Sequence, residues 1–445
     1  MEQQENQLDI NTETEEKAAK RKKKADRQVF WGGMFWGFII GGIFSCLCIL
    51  TIRGILIYKN SGTLDISGDA LVSENDDEAL NTAITNELVQ KLRTLESAID
   101  VYYYQEGVDY EELQNGIFSG IVDALDDPYS TYYTPEELAK VTADNEGIYY
   151  GIGAYVGLDT NLQMPKITGI IKNTPAEESG LRENDVITAV GEISTYQMAT
   201  EEVVTYIRGE EGTYVDLTIY REGEAEYLEF TVERRKVESP TVNSEMKGEI
   251  GYIQITGFEE VTVHQFEEAY EDLQKQGMKG LIIDVRSNPG GLLTSVLDIS
   301  RQILPKGLIV YTEDKYGHKE EYTCDGKNEI DIPLVVLING NSASASEILA
   351  GAVQDYGIGT IVGTTTYGKG VVQNIFGLKD GSAVKLTISN YFTPNGNNIH
   401  GIGVQPDVEV ELDVDKYYNE DIDTQIEKAI EILNEEIEEI GVVLD

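Results

Sequence analysis

The sequence predicts a multidomain protein, part α/β and part β-rich, with helical segments at both ends of its folded region and one N-terminal transmembrane helix. Three observations carry this. From Gly248 onward, apolar strand-like runs alternate with helical periods, the pattern of a layered α/β core. Between Gly147 and Val232, short strands separated by turn residues frame only two short helical stretches. Gln28 to Ile52 carries no charged residue, and from Val29 onward that run is nearly all apolar or glycine.

Composition narrows the function classes. At 445 residues, 41% hydrophobic and with 44 glycines, the chain is long enough for several globular cores. Its 79 acidic against 34 basic residues give a formal charge of −45, which excludes a nucleic-acid partner, because phosphate contacts need clustered Lys and Arg. Cys46 and Cys48 sit in the apolar run and Cys324 stands alone, so neither a disulfide framework nor a zinc site is expected. No metal or other cofactor is implied.

Taken in order, residues 1–28 form a charged tail ending in Lys20 to Lys24 and Arg27. Residues 29–52 match the roughly 20 apolar residues a bilayer core requires of a helix, with Trp31 and Trp36 at the interfacial end. Only Arg53 and Lys59 follow closely, so the charge bias puts the N-terminus in the cytoplasm and the rest outside it. The run is long and lacks a small-x-small cleavage site, which favours an uncleaved signal anchor in the lipid bilayer over a signal peptide. Residues 53–78 are a polar linker.

Residues 79–135 are helical in pattern. Leu88, Leu92, Leu95 and Ile99 recur at three and four, as do Leu113, Ile117, Ile121 and Leu125, with Tyr102 to Tyr104 and Gly107 marking a break. Asp126 to Ser130 stops the second helix. Residues 147–233 form the β-rich domain and 248–410 the α/β core. Residues 411–445 close with an acidic amphipathic helix from Asp423 to Gly441. The helices at 79–125 and 423–441 could pair two chains as a homodimer or pack internally.

The chemistry concentrates in Asn339–Gln373. An apolar strand runs into Asn341-Ser342-Ala343-Ser344-Ala345-Ser346, and an Ala-rich helix follows. A serine at a helix start has its hydroxyl and the next N–H at the positive end of the helix dipole, a good place to develop an oxyanion. Ser342, Ser344 and Ser346 are all candidates, and capping alone would also explain them. Lys369, flanked by Gly368 and Gly370 in an apolar setting, suits a lysine whose amine is kept neutral as a base. Gln373 follows at a spacing that puts both side chains on one face of a strand or a helix, and its amide can hold a neutral lysine.

Two other chemistries are excluded. Gly363 to Gly370 nearly spells a phosphate-binding loop, but Gly370 stands where a Ser or Thr is needed and Val371 to Phe376 reads as a strand, not a helix. No Gly-x-Ser-x-Gly elbow surrounds Ser344, and His264, His318 and His400 lie in no orienting motif.

Two resemblances add to this. Pro175-Ala176, Gly180-Leu181 and Asp185-x-Ile187 resemble a PDZ domain, which captures free C-termini through loop N–H groups and strand addition. By that resemblance Gly151, Ile152, Gly153 and Ala154 form the carboxylate loop. The ordered set Asp127-Pro128-Tyr129-Ser130, Asp284 to Gly291, Ser342 to Ile348, Gln354-Asp355, Tyr367 to Gly370 with Gln373, Tyr391 to Gly396 and Ile402 to Asp407 resembles the carboxyl-terminal processing, or tail-specific, proteases. The resemblance implies a crotonase/ClpP-like α/β protease core with an inserted PDZ domain and a Ser-Lys serine endopeptidase. It places the nucleophile on Ser344, the general base on Lys369 and its orienting partner on Gln373. It places the oxyanion hole on the N–H of Ala345 and one from Gly291, in preference to Gly290. Substrates would be extracytoplasmic proteins or peptides with free C-termini. The alternative is a catalytically silent, membrane-anchored PDZ scaffold.

Overall fold

The computed structural model describes residues 84–444. The anchor expected at 29–52, its tail and its linker lie outside them. Among the described residues no helix is long and apolar enough to cross a membrane. The chain divides into two units, residues 1–106 and 107–445. In the first, α1 (Asn86–Tyr102) starts where the Thr85 hydroxyl accepts the Leu88 N–H at 3.1 Å.

The second unit begins with α2 (Tyr110–Asp123), whose N-cap Asp109 accepts the N–H groups of Glu111 and Glu112. The turn at Asp126–Ser130 delivers β1 (Thr131–Tyr133). Then α3 (Pro135–Glu146) opens with a reciprocal capping box between Thr134 and Glu137 and closes at left-handed Gly147.

The β-rich domain follows. β2 (Ile148–Gly151) leads in, followed by β3 (Ala154–Asp159), β4 (Met164–Ile170), α4 (Pro175–Ser179), β5 (Val186–Val190) and β6 (Ile193–Ser194). It continues through α5 (Thr200–Ile207), β7 (Tyr214–Tyr220) and β8 (Leu228–Glu233), and leads out along β9 (Arg235–Glu238), antiparallel to β2. The sheet order is β3-β4-β5-β7-β8, which leaves β3 an edge strand with α5 packed beside it. Ile167, Ile187, Leu217 and Ile219 fill its core. Asp185 is fully buried but paired with the Arg221 guanidinium at 2.7 Å, which explains an aspartate inside a domain this small.

The α/β core comprises β10 (Val242–Lys247), β11 (Ile250–Ile255), α6 (Glu260–Lys275), β12 (Gly280–Asp284), α7 (Leu293–Ser300), β13 (Gly307–Asp314) and β14 (Lys319–Cys324). It continues with β15 (Leu334–Ile338), α8 (Ala345–Tyr356), β16 (Thr360–Gly363), β17 (Val371–Gly377), β18 (Ala383–Phe392) and β19 (Val408–Glu409). α9 (Val414–Glu420) and α10 (Thr424–Leu444) close the described chain. One sheet runs β10-β11-β12-β15-β16-β19, parallel from β11 onward. Helices cover both its faces, and strand alternation decides which side chain meets which helix. Ile253, Ile283 and Val336 face α6, α7 and α8, while Tyr252, Ile282 and Val335 face α10. This is why β12 and β15 are apolar without interruption.

A second sheet runs β1-β18-β13-β14, with β17 also paired to β18. Strand β1, from the N-terminal helical region, is therefore part of the core, Thr131 opposite Lys385. The loops leaving β12 and β15 emerge side by side at the carboxyl end of the parallel sheet, the usual ligand position in such folds.

Candidate active site

The site is built on the turn between β15 and α8. Ser344 is the N-cap of α8 with φ 53° and ψ −111°, a backbone conformation that L-residues rarely adopt. Its surroundings hold it there. The Ser344 N–H donates to Glu347 Oε2 at 2.8 Å, and its carbonyl accepts the Tyr391 hydroxyl at 3.1 Å. The neighbouring serines are committed to structure: Ser342 Oγ donates to the Val285 carbonyl at 2.7 Å and Ser346 Oγ to the Asn288 carbonyl at 2.9 Å, both fully buried. Ser344 is the half-buried member of the three, and its hydroxyl has no acceptor among the described residues.

The loop after β12 lies directly beneath this turn. Asn288, fully buried, staples it. Its side chain donates to the Ile255 carbonyl at 2.9 Å and accepts the Gly290 N–H at 2.8 Å, and its carbonyl takes Ala343 N–H. Gly290, at φ 104°, must be glycine, because a methyl group there would lie 2.8 Å from both Ala343 O and Ser344 Cβ and 3.0 Å from Ala345 N. Phe258 bonds to this loop on both sides, to the Gly290 carbonyl and the Leu292 N–H. The N–H groups of Gly291 and Ala345 have no acceptor among the described residues, whereas that of Gly290 is occupied by Asn288.

Opposite Ser344 is the segment from β16 to β17. Glu347, fully buried, ties it to the Ser344 turn, accepting the Thr366 hydroxyl at 2.5 Å, Gly368 N–H at 2.7 Å and Lys369 N–H at 2.9 Å besides the Ser344 N–H. Burial holds the Lys369 amine below the ordinary lysine range, and the charge of Lys385 adds to this, while Asp127 and Glu347 pull the other way. The amine lies 4.7 Å from the Tyr129 ring centroid. No hydrogen bond joins it to Ser344 Oγ in the structure.

The sequence expectation is a Gln373 amide facing Lys369, and the hydrogen bond that the amide makes in the structure is to β18. Lys369 precedes β17, where no strand geometry fixes its side, and the bulge opposite Val372 and Gln373 puts its extra residue, Ile388, on β18. The Gln373 amide donates to Thr387 Oγ1 on β18 at 3.2 Å. Thr387 N–H in turn donates to Ser130 Oγ at 3.1 Å, and Ser130 donates to Asp127. Burial alone would raise the Asp127 carboxyl, but hydrogen bonds from Ser130, Thr387 and the Tyr129 N–H, with the charge of Lys369, hold it below the usual range.

The sequence did not single out Tyr129, Ser130, Glu347, Thr387 or Tyr391 as parts of this site. Glu347 had a signal, the Ser-x-x-Glu spacing of a capping box. The histidines are exposed, with His264 on Glu238 and His318 on Asp314. His400, however, returns close to Gly370, where an added methyl would lie 3.0 Å from its Cβ. The near-match to a phosphate loop leads from strand to strand, with no helix to receive a phosphate.

In the β-rich domain the Ile152 carbonyl accepts Ala176 N–H at 2.7 Å, and the Gly153 carbonyl accepts Ile171 N–H at 3.0 Å. Because trans peptides oppose their C=O and N–H, the N–H groups of Gly153 and Ala154 point away from those partners. Gly153, at φ 82°, abuts Thr174 so closely that an added methyl would lie 2.3 Å from its Cβ. Gly151 closes the β2–β9 ribbon opposite Arg235.

Comparison with known proteins agrees with this architecture. Residues 249–410 match the family model "Peptidase family S41", residues 166–221 "PDZ domain" and residues 54–137 "Activating protease CtpB N-terminal domain". The carboxy-terminal processing protease CtpA of Bacillus subtilis is 37% identical over 355 residues, 77% of this chain and 75% of that one. The carboxyl-terminal-processing protease of Synechocystis sp. is 34% identical over 316 residues, 69% of this chain and 74% of its own. The solved structure of a photosystem II D1 C-terminal processing protease aligns with a TM-score of 0.43 and 28% identity, covering 74% of this chain and 94% of that one. The fold and its matches define a serine protease of peptidase family S41 that carries a PDZ domain. Within that class, the chain belongs to the carboxyl-terminal processing proteases.

Proposed function

We propose that the protein is a membrane-anchored endopeptidase that cleaves extracytoplasmic proteins through an acyl-enzyme formed on Ser344, with Lys369 as its base. The observation that carries the reading is the contrast among three serines. Ser342 and Ser346 hydroxyls are fixed on carbonyls, while the Ser344 hydroxyl donates to none and lies beside the unpaired N–H groups of Ala345 and Gly291. In this reading Ser344 Oγ attacks the scissile carbonyl and its proton passes to the neutral Lys369 amine. The carbonyl oxygen, now an anion, is met by the two N–H groups. The lysine returns the proton to the leaving amine, and water, deprotonated in the same way, releases the acyl group.

Gln373 enters through Thr387 and Ser130, as part of the scaffold around the lysine. The PDZ domain would seat the substrate's free C-terminus at Gly151–Ala154 and add its tail to edge strand β3. The apolar run at 29–52 would anchor the chain with its N-terminus cytoplasmic, and α1, with Leu95 and Val101 exposed, offers a surface for a second copy.

The test is turnover of an unstructured reporter by the parent, Ser344→Ala and Lys369→Ala. Both variants should be inactive, and parental rates in both would end the dyad assignment. Amidating the reporter's C-terminus should slow the parent several-fold, whereas unchanged turnover would end tail capture.

A further inference from the structure

The residue over the lysine comes from outside the peptidase core. Tyr129 lies in the turn before β1, whereas the matched core begins at residue 249. Its position is fixed from two sides. Asp127 accepts the Tyr129 N–H at 3.1 Å and the Ser130 hydroxyl at 2.5 Å, and Ser130 is held by Thr387 N–H of β18 at 3.1 Å. On the other side the Tyr129 phenol faces that of Tyr367, two residues before the lysine. The ring is half-buried, with Lys369 Nζ at 4.7 Å from its centroid.

We infer that Tyr129 is a positioning residue for Lys369, its ring face holding the amine and keeping water from it, so that the N-terminal segment completes the base. The inference rests on Lys369 being the base. An aromatic face has two opposed effects on an amine. Its quadrupole attracts the ammonium form, and its bulk excludes the water that the ammonium form needs. The other groups facing Lys369 are Lys385 of β18, Asp127 of the turn and Glu347 of α8. None of these is altered by a substitution at 129, and the Phe variant controls for the lost phenol contact with Tyr367, so comparison with it isolates the ring.

The experiment is the pH dependence of kcat/KM for the full chain in detergent micelles, with fluorescently labelled casein as substrate. Tyr129→Phe retains both effects, and its acid limb should lie with the parent's. Tyr129→Leu keeps the bulk without the quadrupole, so its limb should move to lower pH, giving a roughly threefold advantage over the Phe variant on that limb. Tyr129→Ala admits water, and its limb should move to higher pH. Leu and Ala limbs that coincide with the parent's, or that move in the same direction, would overturn the inference. If the Ala variant does not fold, the Phe and Leu pair decides, and coincident limbs overturn it. Lys369→Ala is the control: if it still cleaves, the base assignment itself fails, independently of Tyr129.

Discussion

Glu347 Oε2 accepts the backbone N–H of Ser344 at 2.8 Å and that of Lys369 at 2.9 Å, so one buried carboxylate oxygen bridges the two halves of the site. With Thr366 and Gly368 on its other oxygen, it meets four donors and is an acceptor only. Glu347→Gln would turn an NH₂ group toward two of them. The expected result is a loss on the order of 3 kcal/mol in stability and a fall in turnover of more than tenfold. Denaturant unfolding and the reporter assay, run together, check both.

The serines on either side of Ser344 should separate stability from chemistry. Ser342→Ala and Ser346→Ala each remove a buried hydrogen bond to the loop after β12, at about 1 kcal/mol each. Both should lower the denaturant midpoint while keeping measurable cleavage. Ser344→Ala should leave the midpoint where it is and abolish cleavage.

The half-buried lysine has a pH signature in stability. Its amine titrates lower in the fold than in the unfolded chain, so between the folded value and the ordinary lysine value near ~10.4 the unfolded chain binds more protons. Its cost to the fold is therefore full at lower pH and is relieved as pH rises through that window. Lys369→Met should raise the denaturant midpoint at neutral pH, with a gain that shrinks toward pH ~10. A gain independent of pH would mean the amine is not desolvated.

His400 is the one histidine near the lysine segment. His400→Ala should retain the parent's acid limb in the pH–rate profile. Loss of that limb would move the base role from Lys369 to the imidazole.

How much of this was legible beforehand differs by element. The strands β12 and β15 were plain from uninterrupted apolar runs, because helices on both faces leave no polar side. The helix beginning after Ser344 and the glycine loop were legible because helix starts and positive φ have residue signatures. The choice of Ser344 was not, since which serine meets a carbonyl depends on Val285 and Asn288, remote in sequence. Tyr129 and Ser130 reach the site through the pairing of β1 with β18, and strand pairing leaves no local trace. The expected partnership of Lys369 and Gln373 assumed that both lie in one regular element, whereas β17 begins only at Val371 and Lys369 precedes it.

The central claim is that Ser344 carries the acyl group, and mapping a serine-directed fluorophosphonate on the full chain tests it most directly. The account predicts one adduct, on the peptide containing Ser344, absent from Ser344→Ala and formed at least tenfold more slowly in Lys369→Ala. An adduct on Ser342 or Ser346 in the parent, or equal labelling rates in the parent and Lys369→Ala, would contradict it.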